Sequence, residues 1–293
     1  MNSGIFQHEY QPIRKITPKE GTQFIYEVIR VKNGSPLFLR EHIKRLIQSH
    51  QLVFDSEMGL FDEGYQEASK QADGNEKILC ADCLNLIQQE KIENQNIRIE
   101  VFYQPDLQIA VFAVPSAYPS AEVVKSGVRL ITVTATREDP HAKTDPREFR
   151  KKILAKMKKQ GAFEAALVDS DGKLTEGTRS NLFFVKGDRV FTSPGDQVLL
   201  GITRQMVVKA CETLGIELVE ESIEAKELFR VKAAFMTGTS VDVLPISHIN
   251  NIALQSAEDQ MVMQIRRAYL DLCEKDFERM SESCADDSNW MSH

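Results

Sequence analysis

Apolar positions along this chain switch between a period of two and a period near 3.6, and the switches mark out its elements. QFIYEVIRV at 23–31 is rich in Ile, Val, Tyr and Phe and reads as a strand. Asn33-Gly34-Ser35 supplies a turn and PLFLR returns, so a hairpin is expected. EHIKRLIQSH at 41–50 changes to helical spacing, with Ile43, Leu46 and Ile47 on one side. GYQEASKQA and EKILCADCLNLIQQEK predict two further helices. IRIEVFY at 97–103 alternates as a strand, and QIAVFAVP at 108–115 is a second one. VRLITVTAT at 128–136 opens another series of strands. Pro140 and Pro146 interrupt REDPHAKTDPRE, a helix follows over 147–160, and Gly161 ends it. EAALVDSDGKLTEG is a strand, a turn at Asp171-Gly172 and a return; NLFFVKGDRVFTSP is another such pair. GITRQMVVKACETLG at 201–215 is the clearest helix, because Met206, Val207, Ala210, Cys211 and Leu214 keep one face and Gly215 is suited to end it. IELVEESI predicts a strand. KAAFMTGTSVDVLPI places two short apolar runs around a Thr-Gly-Thr-Ser break, and a last helix is expected over 255–278.

This order predicts an α+β, two-domain chain. Its parts are a smaller α/β N-terminal domain at 1–117, a linker at 118–126, a larger C-terminal domain at 127–280 and a frayed tail at 281–293. No run of parallel βα units opens on a Gly-rich turn, which argues against a dinucleotide fold. The 293 residues are 42% hydrophobic and 27% charged, values of a globular chain with a sizeable core. A formal charge of -7 argues against nucleic acid as the main partner. No stretch approaches eighteen continuous apolar residues and MNSGIFQHEY has no apolar signal region, so neither a membrane span nor export is expected. The five cysteines fit a reduced, cytoplasmic setting better than a disulfide framework. Cys80 and Cys83 form a CxxC on a predicted helix, and no second pair completes a zinc site, so no metal is expected.

Several residues could carry chemistry, each with a plainer alternative. Glu176 and Asn181 stand in a polar run beside the apolar Leu182–Val185. Glu176 reads as a salt-bridge partner or as a carboxylate set against a cationic ring nitrogen. The helix start at Gly201-Ile202-Thr203-Arg204 offers free N–H groups to a phosphate, with Thr203 as a further contact or simply a cap. Thr237-Gly238-Thr239-Ser240 is a turn or an anion wrap. Arg45 is a solvated or paired helix arginine unless the fold brings it to that same phosphate. Lys143, between the two prolines, is an exposed lysine or a buried amine able to attack an aldehyde. Tyr26 and Arg30 share one face of the first strand, as core edge or pocket wall.

Taken in chain order, YEVIRVKNG, REHIKRL, Lys143, LTEGTRSNLFFV, LLGITR and MTGTS closely resemble one family over residues 22–250. It is the class IV pyridoxal-phosphate-dependent aminotransferases, which comprise branched-chain aminotransferases, D-amino acid aminotransferases and aminodeoxychorismate lyases. The resemblance implies a fold-type IV, D-amino acid aminotransferase-like architecture and pyridoxal 5′-phosphate as cofactor. It makes Lys143 the residue that carries the cofactor covalently and Glu176 the acid at the pyridine nitrogen. Arg45, Ile202, Thr203, Thr239 and Ser240 become phosphate and cofactor contacts, Asn181 orders the loop beside Glu176, and Tyr26 stands near cofactor and substrate. Arg30 and Arg98 are candidates to meet a substrate carboxylate. The chain departs from the family in three places. KTDPREFRKK lacks the Asn or Tyr that members often hold near the ring hydroxyl, which leaves Arg147 or Arg150 for that contact. EVFYQPD replaces the Thr-Arg-Gly segment of the D-amino acid enzymes, and FQHEYQPIRKITPKEG replaces the common short opening. The implied activity is transfer of an amino group between a branched-chain or D-amino acid and a 2-keto acid. The alternative is an aminodeoxychorismate lyase releasing pyruvate and 4-aminobenzoate. Small-molecule amino and keto acids are the implied partners, in a homodimer.

Overall fold

The computed structural model describes residues 3–12, 22–54, 73–103, 106–135 and 147–286. They divide into two units: the described residues up to Ser116 together with those from Cys273 onward, and the described residues from Ala117 to Leu272.

In the first unit the strands are β1 (Ser3–Phe6), β2 (Glu9–Pro12), β3 (Phe24–Lys32), β4 (Ser35–Pro36), β5 (Asn94–Tyr103) and β6 (Leu107–Val114). They form one antiparallel sheet in the order β2-β1-β6-β5-β3-β4. β3 runs beside β5 along its whole length, from Phe24 opposite Phe102 to Lys32 opposite Asn94. Alternation decides what each face does. Ile25, Ile29 and Val31 line up with Ile97, Ile99 and Val101 on one face. That face packs on Ile43 and Leu46 of α1 (Leu39–Val53) and on Leu79, Cys83 and Leu86 of α2 (Asp73–Gln89). Each such buried aliphatic contributes roughly 1.5–3 kcal/mol. The other face carries Phe24, Tyr26, Val28 and Phe102.

Three details depart from expectation. β4 is only two residues long, because Phe38 turns left-handed at φ 52 and α1 begins at Leu39. The opening of the chain, to which the sequence pattern assigns no element, contains the β1–β2 hairpin. The linker expected at 118–126 contains a helix, α3 (Ala121–Ser126): Ser120 Oγ accepts the Val123 N–H at 3.4 Å, and Gly127 leaves the helix at φ 71. The helix expected in GYQEASKQA lies outside the described residues, as does most of the unusual opening after Pro12.

The second unit contains β7 (Val128–Thr134), α4 (Arg147–Gln160), β8 (Glu164–Val168), β9 (Leu174–Gly177), β10 (Asn181–Lys186) and β11 (Arg189–Thr192). Next come α5 (Ile202–Leu214), β12 (Leu218–Glu220), a 3-10 turn (Ala225–Arg230), β13 (Ala233–Gly238), β14 (Asp242–Ile249), β15 (Ile252–Ala253) and α6 (Gln260–Asp286). The sheet runs β12-β11-β10-β13-β14-β7-β8-β9, and β9 pairs back onto β10. Six strands therefore close into a ring, and Asn181 opposite Glu176 makes the closing pair. Leu182, Phe184, Ala234, Met236, Leu244 and Ile246 belong to one buried cluster of this ring. The rings of Phe183 and Phe235 stack at 4.9 Å elsewhere in its core. The domain end expected at 280 does not coincide with the division of the units. α6 changes membership at Cys273, and Asp276 of its later part accepts the Phe38 N–H at 2.6 Å within the first unit. Among the described residues no helix is long and apolar enough to cross a membrane.

Candidate active site

Glu176 is the next-to-last residue of β9 and is 4% exposed. Its Oε2 accepts the Leu199 N–H at 3.2 Å, while Asn181 Nδ2 donates to the Leu199 carbonyl at 2.8 Å. The closing pair of the ring thus holds both polar groups of one peptide residue ahead of α5. Gly201 caps that helix, and a Cβ at its position would collide with Asn181 Oδ1. Only glycine lets the helix start approach so closely. Gly201 brings no side-chain cap, so the first N–H groups of α5, those of Ile202 and Thr203 among them, have no partner within the helix. Thr203 and Arg204 are both buried. Arg204 Nη2 donates to the Ser193 carbonyl at 3.0 Å and pairs with Glu220 at 3.1 Å. The Ser193 hydroxyl in turn donates to the carbonyls of Leu174 and Thr175, at 3.0 and 2.8 Å. β9 is thereby pinned immediately before Glu176.

The other wall comes from the turn between β13 and β14. Thr237 lies opposite Asn181, and Gly238 lies opposite Asp242 across the turn that contains Thr239 and Ser240. Gly238 packs close to the Arg179 carbonyl, which brings this turn against the Gly177–Ser180 loop. Asp242 sits left-handed at φ 54, and its carboxylate accepts the Tyr269 hydroxyl at 3.2 Å. The hydroxyls of Ser180 and Thr237 are buried and have no hydrogen-bond partner among the described residues.

Glu176, Asn181, Ile202, Thr203, Thr239 and Ser240 therefore meet at one end of the ring. The remaining candidates are not brought together with them by anything described. Arg45 belongs to the first unit, where its Nε and Nη2 donate to Glu27 at 2.7 and 2.6 Å. His42 Nδ1 shares the same carboxylate at 2.8 Å, and all three side chains are buried. Tyr26 carries the Arg98 guanidinium over its ring at 4.0 Å, and Arg98 Nε donates to Glu100 at 2.6 Å. Arg30 lies further along β3, partly buried. Lys143 lies outside the described residues, and Arg147 and Arg150 lie in α4 with side chains that are likewise not described. The CxxC thiols are held protonated: burial pushes Cys80 up to about 12 and Cys83 well above the usual thiol value.

Residues 24–249 match the family model described as Amino-transferase class IV. The chain belongs to that family. A D-alanine aminotransferase of Bacillus licheniformis is 29% identical over 255 residues, which cover 80% of this chain and 83% of the relative. An Escherichia coli branched-chain amino acid aminotransferase structure has a TM-score of 0.77 at 22% identity, covering 93% of this chain and 94% of the other. A branched-chain aminotransferase of the archaeon Thermoproteus uzoniensis, solved with norvaline, has a TM-score of 0.76 at 22% identity, covering 92% of this chain and 94% of the other. At such identities the two structures establish the shared architecture, that of the fold-type IV enzymes. Within this class IV aminotransferase, Ser180 and Thr237 escape a reading of residue types alone. A serine in TRSN and a threonine ending a strand look like ordinary turn residues, and only their burial without a hydrogen-bond partner among the described residues sets them apart.

Proposed function

We propose that this class IV aminotransferase uses pyridoxal 5′-phosphate to move an amino group between an amino acid, branched-chain or D-, and a 2-keto acid, as a homodimer. One observation carries the reading. A buried carboxylate and an uncapped helix start meet at the closing pair of the ring, and Ser180 and Thr237, next to and opposite Asn181, carry buried hydroxyls with no hydrogen-bond partner among the described residues. That donor set fits the cofactor. Glu176 would stand beside the ring nitrogen, where an opposite charge favours the protonated form. The N–H groups of Ile202 and Thr203, with the hydroxyls of Thr203, Thr239 and Ser240, would hold the phosphate. Arg45 joins them on the strength of the family resemblance, and Asn181 fixes the loop that presents Glu176. When bound, the cofactor supplies the electron sink for the pair left at the substrate Cα. Lys143 would anchor it covalently and move the Cα proton as base and acid. Tyr26, Arg30 and Arg98 would face the substrate, and Arg98, set over the Tyr26 ring and tied at Nε to Glu100, keeps its other N–H groups suited to a carboxylate.

Borohydride reduction of the cofactor-loaded enzyme followed by peptide mapping tests the anchor. The label is expected on Lys143, and Lys143→Ala is expected to abolish turnover with the fold intact. A label elsewhere, or full turnover in that variant, overturns the reading. A panel of amino donors with 2-oxoglutarate or pyruvate as acceptor then sorts branched-chain from D-amino acid use. Stoichiometric pyruvate and 4-aminobenzoate from aminodeoxychorismate, with no acceptor added, would identify a lyase instead.

A further inference from the structure

Glu164 opens β8 in the sequence Glu164-Ala165-Ala166-Leu167-Val168, and every one of these residues is buried. Its side chain is 0% exposed. A carboxylate in that position is costly, and an apolar residue would suit the surroundings better unless the carboxylate has work to do. Its charged neighbour is a poor compensator: Arg179 Nε stands 3.4 Å away on a side chain that is 59% exposed. The closer donors all belong to the backbone or to one threonine. Glu164 Oε1 accepts the Ala165 N–H at 3.0 Å, the Thr178 N–H at 3.3 Å and, in a short hydrogen bond, the Thr178 hydroxyl. Thr178 belongs to the four-residue loop that joins Glu176 to Asn181. The same loop is tied by the Gly177 N–H to the Ser180 carbonyl at 2.7 Å. It is packed so tightly that a Cβ on Gly177 would run into Ser180 Oγ and press on the Glu164 side chain at 3.3 Å.

The geometry points to Glu164 as a positioning residue for Glu176, acting through Thr178. This rests on the ring-nitrogen role proposed for Glu176. Glu164 grips the first residue after Glu176-Gly177 by main chain and side chain at once. The loop then has one conformation, and the carboxylate at its start and the amide at its end keep their places across the closing pair. Without that grip the Thr178 hydroxyl loses this acceptor while its N–H keeps the Ala165 carbonyl at 3.2 Å, the loop relaxes, and Glu176 shifts against whatever it faces.

The test is a double-mutant cycle on the full chain, with Glu164→Ala, Glu164→Gln, Glu176→Ala and the Glu164→Ala/Glu176→Ala pair. Two quantities are read: transamination rate, and the affinity of the apoprotein for pyridoxal 5′-phosphate by titration. Misplacement by about an ångström can cost on the order of 10²-fold, so Glu164→Ala should lose between about 10- and 100-fold in rate and weaken cofactor affinity about 10-fold. Glu164→Gln keeps the oxygen that Thr178 needs and should stay within about 2-fold of the parent, the scatter of unperturbed sites. In the Glu176→Ala background, Glu164→Ala should cost less than about 2-fold more, because the group it positions is gone. An equal loss in both backgrounds, or no loss from Glu164→Ala alone, overturns this assignment. Unchanged turnover in Glu176→Ala alone overturns instead the role given to Glu176. Should Glu164→Ala fail to fold, Thr178→Val deletes one donor and carries the same comparison: a rate loss that vanishes in the Glu176→Ala background supports the assignment, and an unchanged rate overturns it.

Discussion

Each unit of the chain buries a cluster of polar side chains, and the two clusters are built on opposite terms. In the first unit, Glu27 on the core-facing side of β3 is met by two donors from Arg45 and by His42. Charge answers charge at 2.6–2.8 Å within a single cluster. In the second unit, Glu176 accepts a backbone N–H at 3.2 Å among its contacts, and the hydroxyls of Ser180 and Thr237, next to and opposite Asn181, are buried with no hydrogen-bond partner among the described residues. Desolvating a polar group is costly unless it is repaid, so a cluster that repays itself needs nothing more. One that leaves donors over is shaped for something else. The contrast separates a polar group that holds a fold together from one that waits for a ligand.

The largest effect that can break this contrast is on stability. Arg45→Ala would strand the Glu27 carboxylate in the core, so the first unit should lose about 3–5 kcal/mol, read as a lower urea midpoint at constant slope. Unchanged stability would show that the cluster is not self-supporting. If Arg45 also reaches the phosphate, a cofactor titration on the folded fraction will show weaker affinity. Glu176→Ala should do the reverse. Turnover should fall by roughly 10²-fold or more, about 2.7 kcal/mol of barrier, while the apoprotein melts near the parent temperature. A lower melting temperature with unchanged rate would place Glu176 with Glu27 as a structural acid. Thr237→Val sharpens the contrast further. Removing a partnerless buried hydroxyl should leave apoprotein stability equal or raise it by about 1 kcal/mol, while cofactor affinity falls severalfold.

The smallest effect is on pH dependence, and it belongs to the first unit. Burial pushes the His50 imidazole down to about 4, with Tyr103 hydroxyl at 3.0 Å from its Nε2. The unfolded chain therefore takes up a proton there before the folded one does, and stability present above about 6.5 is lost as pH falls towards about 4. His50→Phe should flatten that limb in denaturation followed by circular dichroism. His8 has the opposite sign. Its hydrogen bond to Asp82, at 2.7 Å, raises its pKa, so its contribution is complete below the unfolded value of 6.5 and is lost as pH rises through the folded value. His8→Gln should remove a loss on the alkaline side of that value.

Much of this was legible in residue order. The alternation of β3 and β5 identified both strands, since period two survives wherever one face is buried. The helix of α5 was equally clear, from its apolar face to Gly215 at φ 66 behind it. Glu27 shows the limit. It occupies a core-facing position within an otherwise apolar stripe, and nothing local says that Arg45 and His42 will be there to meet it. α3 escaped for a different reason: six residues are too few to display a period, and its cap at Ser120 reads as well in a linker. Glu164 does not stand out at the head of its strand, because the loop that meets it comes back from another strand.

What the chain specified by itself is local: the strands and helices, an acid and an asparagine flanking a short loop, and a glycine at the start of a helix. Only the tertiary structure decided that the acid and the asparagine would seal a ring of six strands, and that this seal would sit against the helix start and the Thr237–Ser240 turn. The physical reason lies in register. Periodicity tells a strand which face is buried, but which residue stands opposite which is settled by packing among segments distant in sequence, and the candidate site is made from those oppositions.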